Sequence, residues 1–260
     1  MCLLKLEENG DFCLTEPLLD HPPYAILSHT WGRNNEEVTF EDMDKGGSGL
    51  GKAGYDKIKF CGEQTARDRL EYFWVDTCCI KKSSDAELSE AIASMFRWYQ
   101  SADRCYVYLS DVSTKASRSQ QELAFRNSRW FKRGWTLQEL IAPPIVQFFS
   151  KEGQLPGDRG SLKQQIYGIT GIPLTALSGY PVSSFSVEAR MRWAAARETT
   201  RREDGAYCLL GIFNVLMSPI YGEGDHAFVR LREAIGRSNE SESLILACKS
   251  TINSKYRYAL

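Results

Sequence analysis

Residues 24–32, YAILSHTWG, decide how the rest of the chain is read. The run from Tyr24 to Ser28 is almost unbroken apolar sequence of strand length, the pattern of a strand covered on both faces. Ser28, His29, Thr30 and Trp31 fall where that strand ends, and Gly32 permits the chain to turn away. Residues 72–80, YFWVDTCCI, repeat the arrangement with Asp76 near the end, and residues 105–112, CYVYLSDV, do so with Ser110 and Asp111. Residues 145–150, IVQFFS, predict a further strand. Between these runs, apolar positions recur at helical spacing in residues 55–72 and 86–99, the second preceded by Ser83 and Ser84 as candidate caps. Strand and helix in alternation predict an α/β fold with a mainly parallel sheet flanked by helices. In such a sheet the strand carboxyl ends share one edge, where ligands bind, so the region of Ser28 to Trp31, Asp76, Ser110 and Asp111 is expected to converge on one crevice.

Residues 133–144, RGWTLQELIAPP, add chemistry to that crevice. Trp135 and Glu139 stand four apart and share a helix face, with Arg133 at the N-terminal edge. Pro143 and Pro144 forbid a long continuation, because proline lacks the amide donor and disfavours helical geometry in the residue before it.

Elsewhere the signals are plainer. Residues 1–20 predict a short strand region, and residues 36–43, EEVTFEDM, alternate well enough for a strand or hairpin arm. Residues 45–54, KGGSGLGKAG, match parts of two phosphate-binding patterns through Gly46, Gly49, Gly51, Lys52 and Gly54. Ala53 stands where a phosphate loop needs a hydroxyl, so a linker before the next helix is the favoured reading. Residues 113–127 are polar with a short helix. Residues 152–160 form a connecting loop, and helices follow over 161–170, 187–200, 205–213 and 225–235. Two units are expected: an α/β domain over 1–150 and a helical extension over 151–260, packed on it.

Composition narrows the function classes. A 43% hydrophobic content is ample for a core, and 32 basic against 33 acidic residues leave a net charge of −1, so no field argues for nucleic acid. No run approaches a membrane span and the first residues lack the apolar stretch of a signal peptide, which makes a cytoplasmic location the expectation. The eight cysteines show no CxxC spacing and only three histidines are present, leaving little material for a metal site.

Taken together, YAILSHTWG, YFWVDTCCI and residues 133–143, RGWTLQELIAP, resemble the three hallmark blocks of the fungal HET (heterokaryon incompatibility) domain. The likeness extends through residues 83–112 and into residues 203–235, which resemble the segment following the domain in incompatibility proteins that carry a C-terminal NTPase and repeat region. One departure is Lys81, where the family usually has Asp or Asn. A more distant resemblance links residues 87–112 and 128–140, SRWFKRGWTLQEL, to TIR domains, which have a flavodoxin-like fold and an amphipathic helix, strand, loop and W-x-x-x-E helix in that order. In NAD-cleaving TIR domains the glutamate of that pattern is catalytic, which here implies Glu139, with Trp135 a turn before it and Ser28 at the strand end lining the pocket. The resemblance implies a cell-death effector switched on by homo-oligomerisation, with NAD as substrate and no cofactor required. Ligand contacts are expected from Ser28, Trp31, Gly32, Asp76, Arg133 and Trp135.

One carboxylate suffices for that reaction. Glycoside hydrolysis ordinarily needs two, one to protonate a poor leaving group. Nicotinamide leaves neutral from a cationic ring, so the remaining task is stabilising the oxocarbenium-like ribose. Trp135 would desolvate Glu139 and offer a face to the cationic ring, and Arg133 would meet the pyrophosphate. Three other readings stand beside it: a non-enzymatic death effector acting by self-assembly, a thiol nucleophile at Cys78 or Cys79 with His29, and an ATP-binding loop built on Lys52.

Overall fold

The computed structural model describes residues 1–7, 10–18, 20–33, 35–44 and 51–238. Seven strands form one sheet: β1 (Leu4–Leu6), β2 (Phe12–Leu14), β3 (Tyr24–His29), β4 (Tyr72–Trp74), β5 (Arg104–Leu109), β6 (Val146–Ser150) and β7 (Gly157–Asp158), in the order β2-β1-β4-β3-β5-β6-β7. The four central strands β4, β3, β5 and β6 run parallel to one another, while β1 and β2 at one edge and β7 at the other pair antiparallel. The expected α/β fold is present, but its sheet is mixed: β2 follows β1 and β7 follows β6 through short connections that return the chain antiparallel, and β1 also pairs antiparallel with β4. All six residues of β3 are buried, as befits a central strand covered on both faces.

Helices Tyr55–Arg67 and Asp85–Ser101 follow β3 and β4, and Arg118–Asn127 and Thr136–Ile141 follow β5. The Ser84 hydroxyl caps the second by accepting the Glu87 amide, as the sequence suggested. Among the described residues no helix is long and apolar enough to cross a membrane.

Several local expectations are corrected. Residues 36–43 hold no strand, because Thr39 and Asp42 cap a helix at Phe40–Asp44 through paired bonds to each other's backbone amides. The helix from Tyr55 stops at Arg67, and Arg69 takes a positive φ of 61°. Only Tyr72–Trp74 of YFWVDTCCI is strand, since the Val75 amide turns to Cys79 Sγ and the Val75 carbonyl accepts the amides of Cys78 and Cys79. Asp76 therefore sits in a tight turn. Residues 152–160 contain β7 within the expected loop, and the predicted helix over 205–213 is two short pieces, Asp204–Tyr207 and Leu210–Phe213. Residues 45–50 of the glycine run lie outside the described residues; Lys52 binds Asp42 at 2.5 Å and the Glu37 carbonyl.

Candidate functional site

The segment before helix Thr136–Ile141 is tied down from the far end of the chain. The Gly134 amide donates to the Glu198 carbonyl at 2.8 Å and the Glu198 amide to that of Lys132. Glycine suits this close approach, since a Cβ would lie 2.5 Å from Thr199 Cγ2 and force that side chain to shift. Arg197 donates to the Arg133 carbonyl and to the Thr136 hydroxyl, both at 2.8 Å. The helix therefore starts at a fixed place, with Trp135 at its N-cap position and Glu139 one turn on.

Glu139 is buried at 5% exposure. The Ser28 hydroxyl donates to its Oε2 at 2.5 Å, and Trp130 Nε1–H donates to that same hydroxyl at 2.7 Å. An indole nitrogen only donates, and a hydroxyl has one proton. Ser28 thus accepts from Trp130 and donates to Glu139. Burial, aided by the charge of Asp76, pushes the Glu139 pKa up to about 8, against the Ser28 bond, Arg133 and a Tyr99 bond. At neutral pH the carboxyl is mostly protonated.

Asp76 has the opposite state. Its oxygens accept from His29 Nε2 at 2.8 Å and Trp31 Nε1 at 2.9 Å. Burial would raise its pKa, but the His29 contact and the charges of Lys82 and Arg133 hold it well below the usual carboxylate range. Burial and Lys57 lower the His29 pKa, and its Nδ1 is buried without a partner among the described residues. Both point to a neutral ring carrying its proton on Nε2, since a second N–H would be orphaned.

Glu139 and Asp76 share a cavity of about 80 Å³ walled by Trp31, Arg133, Trp135 and Lys82. The Lys82 ammonium lies 3.8 Å from the centroid of the Trp31 ring and the Arg133 guanidinium 5.1 Å from it. Asp204 and Tyr221, bonded to each other at 2.9 Å, close the other side. The structure thus gathers five of the seven residues singled out in the sequence. Ser28 is buried behind Glu139 and reaches the cavity only through it. Gly32 is elsewhere: its amide donates to Glu37 Oε1 at 2.5 Å, beside a separate recess that includes Thr30 and Ser110.

Asp111 also stays apart, because it caps the next segment through Ser128 and the Arg129 amide. Lys81 lies 5.9 Å from the Phe40 ring and does not line the cavity. Burial pushes the Cys79 thiol well above its usual range, which disfavours a thiolate. Among the described residues no group of three or more His, Cys, Asp or Glu is placed to hold a metal. Trp130, Lys82, Asp204 and Tyr221 were not singled out as site residues, although Trp130 lies in SRWFKRGWTLQEL and Asp204 and Tyr221 lie in residues 203–235, stretches that carried the resemblance.

Comparison with known proteins gives this arrangement a family. Residues 24–125 match the family model described as heterokaryon incompatibility protein (HET), so the chain carries a fungal HET domain. It is 53% identical over 246 residues to the vegetative incompatibility protein HET-E-1 of Podospora anserina, an alignment that takes in 92% of this chain and 18% of that protein. The chain therefore spans under a fifth of the length of that relative. Glu139 lies beyond the span of the family match. No solved structure matches significantly.

Proposed function

We propose that this chain is the cell-death effector part of a fungal incompatibility protein and that it cleaves NAD at the nicotinamide–ribose bond, with Glu139 as the catalytic carboxylate. The observation that carries the reading is the buried Glu139 carboxyl in a cavity shared with Asp76 and Asp204 and walled by two indoles and two cations. The C–N bond breaks with its electron pair going to nicotinamide, which leaves neutral; ionised Glu139 stabilises the positive ribose; water adds to that carbon and loses a proton, giving ADP-ribose. A cationic ring beside Glu139 favours the ionised form and offsets the effect of burial. Counted from β3, the parallel strands lie in the order 2-1-3-4, as in flavodoxin-like sheets, which suits a TIR-like reading.

At about 80 Å³ the cavity is well below the ~300–1,000 Å³ usual for small-molecule sites, so the resting form is closed to a dinucleotide. Opening on self-association is the activation step in this reading, under control of a C-terminal region such as the much larger relative has room for. The same closure favours one alternative, a non-enzymatic module that signals by self-assembly. Expression of the chain fused to an oligomerising partner separates them. Loss of cellular NAD with the native chain and none with Glu139→Ala is expected; toxicity that persists in Glu139→Ala with NAD unchanged supports the alternative.

A further inference from the structure

Trp31 borders two cavities. With Ile80 and Lys82 it walls the Glu139 cavity, and the same three residues help wall a second of about 270 Å³, completed on one side by Phe40 and Thr77. Thr77 is 3% exposed and its hydroxyl has no hydrogen-bond partner among the described residues. That hydroxyl is free to pair with a group entering the cavity. Two cations stand by the Trp31 ring, and neither Lys82 nor Arg133 is in an ion pair among the described residues. Asp76, the carboxylate beside them, is already taken by Trp31 and His29.

We propose that the two cavities are the halves of one dinucleotide site, parted in this closed form by the Lys82 side chain lying on Trp31. The assignment rests on the NAD reading above. The Glu139 cavity takes the nicotinamide end, Lys82 and Arg133 take the pyrophosphate, and the larger cavity takes the adenosine end. Size supports the pairing, since neither cavity alone reaches the ~300–1,000 Å³ usual for small-molecule sites and the two together do. Chemistry supports it too. Phe40 and Trp31 offer faces for a purine, Thr77 a hydroxyl for a ribose or ring nitrogen, and the cations a match for phosphate oxygens. Lys82 is exposed and on a flexible stem, so a phosphate, the stronger partner, draws its ammonium off the ring and joins the cavities.

The test is calorimetric titration of the 260-residue chain, oligomerised through a fused partner, with ADP-ribose, which carries the pyrophosphate and adenosine but no nicotinamide bond to cleave. Saturable binding is expected, weaker by about tenfold in Lys82→Gln and in Thr77→Val, as loss of one hydrogen bond to a bound group predicts. Adenosine, lacking phosphate, is expected to respond to Thr77→Val and not to Lys82→Gln. Absence of saturable ADP-ribose binding, or equal affinity in both variants and the native chain, overturns the assignment. Nicotinamide release without such binding removes this inference and leaves the proposed function; binding without nicotinamide release does the reverse.

Discussion

At the level of single residues, one hydrogen-bond chain, from Trp130 through Ser28 to Glu139, sets the environment of the carboxyl. Trp130→Phe keeps the edge contacts with Phe131 and Phe148 but frees the Ser28 proton to turn away. Glu139 then holds its proton to higher pH, and the rising limb of kcat/KM against pH is expected to shift upward, with little change at its plateau. A limb unmoved in Trp130→Phe would show that the chain does not govern Glu139. Ser28→Ala also orphans the buried indole N–H, and is expected to destabilise the fold by about 1–3 kcal/mol in urea denaturation. Glu139 itself leaves a signature in stability. Its pKa is about 8 folded against an ordinary 4.5, so between those values the folded state binds more protons than the unfolded. Stability contributed by this group is therefore present at low pH and lost as pH rises through about 8. Over that window the native chain is expected to lose on the order of a few kcal/mol more than Glu139→Gln.

Among the elements, close packing sets different tolerances at two glycines. A Cβ on Gly211 would lie 2.1 Å from Phe96 Cβ, where helix Leu210–Phe213 meets helix Asp85–Ser101. A Cβ on Gly62 would meet the ring tip of Phe12 at 2.3 Å, which a rotation of that side chain relieves. Gly211→Ala is thus expected to cost about 1–3 kcal/mol and Gly62→Ala distinctly less, read from denaturation midpoints. The strands at the centre were legible because β3 and β5 are covered on both faces and so read as unbroken apolar runs. Residues 36–43 were not, because Glu37 is buried against Lys57 at 2.6 Å and Thr39 opens a helix; neither long-range ion pairs nor caps appear in a period-two pattern. The edge strands β1, β2 and β7 are two or three residues long, too short to carry a period, so the mixed character of the sheet had no signature.

For the whole molecule, the later part of the chain completes the site instead of merely flanking it. Asp204 and Tyr221 wall the Glu139 cavity, and Arg197 and Glu198 fix the segment that starts its helix. No local pattern linked them to residues 133–139, which is why the sequence yielded Glu139, Trp135, Arg133 and Asp76 but not the wall opposite. Residues 1–150 alone are expected to lack a cooperative transition, whereas the 260-residue chain unfolds in a single step by calorimetry; a stably folded 1–150 fragment with the Glu139 cavity intact would contradict this dependence. Nicotinamide release by the purified, oligomerised chain decides whether Glu139 carries the cleavage of NAD. Turnover is expected whose kcat/KM rises with pH toward about 8 and falls at least about a hundredfold in Glu139→Gln; equal turnover in the two proteins would remove Glu139 from the reaction.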